Sequence, residues 1–393
     1  NIAINIKRLA FAEKHSGFVL DNISGDFVAA SDMFSARNLQ IVLPQSYLRF
    51  TDMELPLEGG MRNVMDALKR SRVKAGLRPG SNLQLEDISA FVPQFGNMPV
   101  NVDFERCMFN GNLSAFEVDM KLISDVHASI ELTGKGGNLF SPDGRHMSLS
   151  KLSLGVDGNE LQRLLLQSGV AGEGLPVKLD ALGRAGINLK GVLDGVALRG
   201  NIDVFSDQGK VSAETSGRFR DFKDFDLAVH VATDGAVDLS GLFPKLDIGE
   251  VEGDIVGNVL QKGILTGGSA DLEIDHAIFR GASYDAFKAH VTLEDDVLRG
   301  YANIDNPNIA FAMEGAYSLR SNDRLVELHL DLDRFIPSML NLTDKAQGAC
   351  FGGVADIALE GDRFSHMNGK ASVDGLRFTH ADGEALVLDS FLL

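Results

Sequence analysis

Apolar and polar residues alternate with a period of two along almost the whole chain. Leu39, Ile41 and Leu43 form one such run, and Phe116, Val118, Met120 and Leu122 form another. Val126, Ala128, Ile130 and Leu132 continue the pattern. So do Leu227, Val229 and Val231, then Ile309, Phe311 and Met313, then Leu328, Leu330 and Leu332. The residues between them are mostly polar, as Glu117, Asp119 and Lys121 are. Successive strand side chains point to opposite faces, so each run predicts a strand with one apolar face and one wet face.

Turn signals punctuate the runs at Gly134 to Asn138, Pro142-Asp143-Gly144, Asp194-Gly195 and Asp305 to Asn308. Glu294-Asp295-Asp296 reads as a hairpin tip. Helical spacing is rare. Met61, Val64, Met65 and Leu68 predict a short helix near 60–73, with Lys69, Arg70 and Arg72 suited to its C-terminal dipole. Leu161, Leu164 and Leu165 predict a second, and single turns are expected over Ser240 to Pro244 and Arg334 to Leu340.

A degenerate repeat emerges from these turns. The strand at Leu227 to Val231 leads into a turn before Pro244, and the strand at Leu328 to Leu332 leads into one around Pro337. Further on, Gly268-Ser269-Ala270-Asp271-Leu272 resembles Gly369-Lys370-Ala371-Ser372-Val373. Both offsets are about 100 residues, the mark of a repeated multi-strand unit. No Pro/Ser-rich linker interrupts the pattern. The expectation is therefore one continuous, elongated all-β structure over 1–393 with a few short helices. Its approximate sub-units are 1–95, 96–225, 226–325 and 326–393.

Composition narrows the function. Among 393 residues, 42 glycines without collagen periodicity suit many turns and bulges, and 24 phenylalanines suit strands. The formal net charge of -18 argues against nucleic acid, which needs a basic stripe, and against adhesion to anionic lipid through Lys and Arg. Cys107 and Cys350 have no partner at metal or redox spacing and read as unpaired thiols. There is no signal peptide and no apolar run of roughly 18 residues. The chain opens inside a strand pattern (Ile2, Ile4, Ile6) and closes inside another (Ala385 to Leu388), so it reads as a piece of something longer.

Catalytic motifs are missing. The histidines do not form H-E-x-x-H or pair with cysteine at zinc spacing. His230 and His329 occupy polar positions of alternating strands and read as solvated. Gly134-Lys135-Gly136-Gly137 lacks the Ser/Thr of a phosphate loop, and no G-x-S-x-G elbow occurs. The reading is a non-enzyme without cofactor or metal.

About twenty amphipathic strands with few helices leave a large apolar face to hide from water. A closed barrel, a two-sheet sandwich or a curled sheet facing itself would each do so. The curled sheet leaves a gutter that an acyl chain could fill. Its candidate lining residues are Val118, Met120, Leu122, Ile130, Val229, Val231, Phe311, Met313, Leu328 and Leu330.

The run SGFVLDNISGDFVAASDMFSARNLQIVLPQSYLRFTDMEL (Ser16 to Leu55) resembles the TamB family of translocation and assembly module proteins, in its Bacteroidetes-like form. PGSNLQLEDISAFVP (Pro79 to Pro93), with its Ser81, Asp87, Phe91 and Pro93, resembles it too. HLDLDRFIPSMLNL (His329 to Leu342) and GKASVDGLRF (Gly369 to Phe378) look like that family's repeating units. The resemblance implies a taco-like β-groove with an apolar concave face, related to AsmA-like and bridge-type lipid transfer proteins. It implies a periplasmic lipid conduit of a Gram-negative bacterium, carrying phospholipid acyl chains between inner and outer membrane and supporting outer-membrane biogenesis. The implied partners are the inner membrane, through an N-terminal anchor, and a TamA-like outer-membrane barrel, both engaged outside this segment. The alternatives are a secreted β-solenoid adhesin or passenger domain, and a multi-domain β-sandwich.

Overall fold

The computed structural model describes residues 2–13, 18–30, 32–56, 71–112, 114–138, 141, 143–167, 177–263, 265–319, 324–343, 347–361, 367–380 and 382–392. The chain is all-β, and its residues fall into two compact units, Asn1–Asp207 and Gln208–Leu393.

The first unit holds β1 (Ile2–Ala12), β2 (Val19–Ala29), β3 (Met33–Val42), β4 (Tyr47–Arg49), β5 (Met53–Pro56), β6 (Val73–Leu77), β7 (Ser81–Gln84), β8 (Asn101–Gly111), β9 (Phe116–Ser124), β10 (Ser129–Gly137), β11 (His146–Asp157), β12 (Arg184–Asp194) and β13 (Ala197–Ser206). From β8 to β13 each strand pairs antiparallel with the next. At the other end β1, β2 and β3 form a meander, and the short strands β4 to β7 bridge it to β8.

The second unit holds β14 (Gly209–Asp221), β15 (Asp224–Thr233), β16 (Val237–Asp238), β17 (Ile248–Lys262), β18 (Leu265–Phe279), β19 (Ala282–Glu294), β20 (Val297–Asn306), β21 (Ile309–Ser318), β22 (Arg324–Phe335), β23 (Cys350–Gly361), β24 (Met367–Thr379) and β25 (Ala385–Leu392). These too form an antiparallel meander, with β16 adding two residues beside β17. Antiparallel neighbours need only short hairpins, which is why the chain manages with so few helices. At the tip between β19 and β20, Asp295 and Asp296 both take positive φ (49° and 61°), the backbone that a two-residue hairpin with the right twist requires.

Helical segments sit at one strand end in each unit. In the first, 3-10 turns at Leu85–Ile88 and Pro93–Asn97 precede β8, and helix α1 (Gly158–Gln167) follows β11. Strand alternation places both at the same end. The Asp157 carboxylate accepts the Asn159 N–H at 2.9 Å and so caps α1, while Gln162 accepts the Leu179 N–H and ties the helix to the 3-10 turn Leu179–Leu182. In the second unit the turns after β16 and after β22 also share one end. The second seats Leu340 at 0% exposure. Leu227 and Leu328, on β15 and β22, are separated by the same 101 positions as Gly268 and Gly369, on β18 and β24. The repeat read from the sequence is thus a strand, turn, strand, strand unit.

Two expectations change. Gly134 to Gly137 continue β10 rather than turn, because the three glycines suit close approach. A Cβ on Gly137 would lie 1.9 Å from the Ser114 carbonyl oxygen. Val126 is not in a strand. It is buried in the turn before β10, where His127 takes a positive φ of 57°. The helix expected near 60–73 falls outside the described residues over 60–70, and Val73 opens β6.

The segments Gln45 to Arg49 and Ser81 to Asp87 clasp each other. Asp87 accepts the Gln45 N–H at 2.9 Å and the Ser46 hydroxyl; Ser46 Oγ accepts the Gln84 N–H; Ser81 Oγ accepts the Arg49 N–H. Ser46 and Ser81 are 3% and 0% exposed, so this network fixes the strands where β4 meets β7.

Candidate functional site

Residues directly opposite one another in an antiparallel pair share a face, so the register can be followed from strand to strand. In the second unit one row runs Val231, Ile255, Leu272, Ala289, Ala302, Met313, Leu330, Ala355, Val373. Every member is apolar. A neighbouring row runs Val229, Gly257, Ala270, Val291, Gly300, Gly315, Leu328, Ile357. In the first unit Cys107, Met120, Leu132, Leu152, Leu189 and Ile202 form one row, and Phe104, Leu122, Ile130, Leu154, Ile187 and Val204 another.

The ten candidate residues fall on these faces. Val118, Met120, Leu122 and Ile130 share the apolar face of β9 and β10, where Leu122 opposes Ile130. Val229, Val231, Phe311, Met313, Leu328 and Leu330 share the apolar face of the second unit, where Met313 opposes Leu330. None of the ten is buried. Eight are half-buried, and Ile130 and Met313 are 36% and 39% exposed. In a sandwich core such positions would lie against a second sheet about 10 Å away and lose nearly all contact with water.

Of one hollow on this face, sequence reading named only Phe311. Ile274, Phe279, Tyr284, Phe287, Ile304 and Phe311 line an open hollow of ≈ 320 Å³. Ile304 is buried at 4%, and the Phe279 and Tyr284 rings meet edge-on at 6.3 Å. Burial pushes the Tyr284 phenol up, against the opposing pull of Arg280. Cys107 faces the same way in its unit, and burial likewise raises its thiol. A raised thiol is poorly nucleophilic, so Cys107 behaves as a small apolar residue.

The opposite face is polar and charge-paired. His290 Nδ1 lies 2.6 Å from Asp271 Oδ1, and His329 Nδ1 lies 2.6 Å from Asp356 Oδ1, each across a strand pair. His276 and Asp285 make a third pair at 2.6 Å, and His230 approaches Asp254 at 3.7 Å. The Asp356 hydrogen bond raises the His329 pKa, with Glu314 and Asp331 adding to it; the His276 bond, then that of Ser283, lowers Asp285. Among the described residues no group of three His, Cys, Asp or Glu is placed to hold a metal, and no helix is long and apolar enough to cross a membrane.

Compared with known proteins, the chain matches no family model, no curated protein and no solved structure.

Proposed function

We propose that the chain is a lipid-conduit segment whose apolar sheet face carries acyl chains. The observation behind this reading is the unbroken apolar row from Val231 to Val373, whose members outside Ala302 keep contact with solvent. A row of that kind costs free energy in water unless something covers it. An acyl chain covers it without specific chemistry. Each CH₂ buried is worth ~0.8 kcal/mol, so one fatty chain contributes on the order of 10 kcal/mol before ordering costs.

The resemblance of Ser16 to Leu55 and Pro79 to Pro93 to the TamB family supports the same reading. It adds the setting: the periplasm of a Gram-negative bacterium, phospholipid as cargo, and outer-membrane biogenesis as purpose. Anchorage in the inner membrane and engagement of a TamA-like barrel belong to regions outside this segment. The protein is proposed to act without catalysis.

Mass spectrometry of lipids retained by the protein purified from its native membrane environment tests the reading. Phospholipid is expected at one or more molecules per chain. Protein that is folded, monodisperse and free of lipid contradicts it.

A further inference from the structure

On the polar face of β19 to β24 lies an open trough of ≈ 770 Å³, whose lining also reaches Gly300, Gly315, Leu328 and Ile357 of the intervening apolar row. Its floor contains Ala316 and Ala358, and Ala316 is 8% exposed. One register row crosses it as Arg299, Ala316, Glu327, Ala358, Lys370. The alanines hold the three charges two strands apart, about 10 Å between backbones. The adjacent row crosses as His290, Tyr301, Glu314, His329, Asp356, Ser372.

Elsewhere in this unit Lys288 pairs with Glu273, Arg218 with Asp224 and Arg334 with Asp305. In the trough, among the described residues, Arg299, Glu314, Glu327 and Lys370 make no ion pair and no side-chain hydrogen bond. Two unpaired cations and two unpaired carboxylates thus face one concavity in balance, beside a third carboxylate, Asp356, that is held by His329, inside a chain of net charge -18. That balance disfavours both a polyanion and a polycation. It offers donors and acceptors together, which suits a neutral ligand that carries both.

Tyr301 supplies the second element. Its ring is 55% exposed on a wet face, and it is held by stacking on His290 at 5.4 Å and 23°. An immobilised ring open to solvent, ringed by hydrogen-bonding groups, fits a molecule with an apolar face and a polar edge. A pyranose ring has that form. We propose that this trough binds a neutral oligosaccharide, with a sugar ring stacked on Tyr301 and its hydroxyls shared among Arg299, Glu314, Glu327 and Lys370. The trough spans six strands, about 24 Å, room for several sugars rather than one. The proposal does not depend on what covers the opposite face.

Isothermal titration of the full chain with cellotetraose and with N-acetylglucosamine tetramer tests it. Saturable binding to at least one is expected. Tyr301→Ala should weaken it about tenfold or more, Tyr301→Phe should keep it within about threefold, and Arg299→Gln should weaken it at unchanged circular dichroism. Absence of saturable binding to both sugars overturns the proposal. So does sugar binding indifferent to Tyr301→Ala. Binding of a zwitterionic peptide at Tyr301 in place of either sugar also overturns it.

Discussion

The two faces of the second unit differ by a single step along each strand. Val231, Met313 and Leu330 belong to one, and His230, Glu314 and His329 to the other. The polar positions are exposed and the apolar ones mostly half-buried, with Ile255 and Met313 still 42% and 39% exposed, so both faces meet water but only one is built for it. The polar face carries groups that water solvates, and some of them also pair across strands, as His290 does with Asp271 and His329 with Asp356. The apolar row has no such compensation and, among the described residues, no second sheet in its own unit. Contact with water therefore means a finished surface on one side and an unfinished one on the other, which is the physical ground for proposing a hydrocarbon ligand.

The sharpest way to break that comparison is to treat the apolar face as a core and compare it with a real one. Leu340 is 0% exposed, and Leu340→Ala is expected to cost about 2–5 kcal/mol in chemical denaturation, because it leaves a cavity. Met313 is 39% exposed, and Met313→Ala is expected to cost about 1 kcal/mol or less in lipid-free protein. Equal losses would mean that the face is a dry core.

Charge gives a second contrast. Met313→Arg should leave the fold intact, within about 1 kcal/mol, because the long side chain reaches water from an open face. It should also remove most retained lipid. Glu314→Arg, one residue away on the polar face, should change neither. Unfolding by Met313→Arg would show an enclosed site, where an unpaired charge costs several kcal/mol.

Much of this was legible in the sequence because period two is a local property. Phe116 to Leu122 and Leu328 to Leu332 declare their apolar faces within a few residues. What strands do to one another is not local. His230 and His329 read as solvated histidines, since their aspartate partners, Asp254 and Asp356, lie on neighbouring strands. Gly134 to Gly137 looked like a turn because glycine serves close strand approach as readily as chain reversal. The trough was also missed, although a signal existed. Tyr301, one of only four tyrosines, occupies a polar position between Gly300 and Ala302 of the apolar face.

The smallest expected effect is electrostatic. The His329 pKa is raised by Asp356, so its stabilisation is fully present below the unfolded value of about 6.5 and is lost as pH rises through the higher folded value. The difference in melting temperature between wild type and His329→Gln should therefore shrink between pH 6 and pH 8. A difference that grows over that range would contradict the assignment. The pair is exposed, so the effect is small and falls with added salt.

The most direct test of the central claim places a photo-crosslinking amino acid at Val231, Phe311 and Met313, and in parallel at His230 and Glu314, in protein held in its native membrane environment. Lipid adducts are expected at the three apolar positions and not at the two polar ones. Adducts at neither set, or equally at both, would contradict a lipid-bearing apolar face and leave the all-β sheet without an assigned cargo.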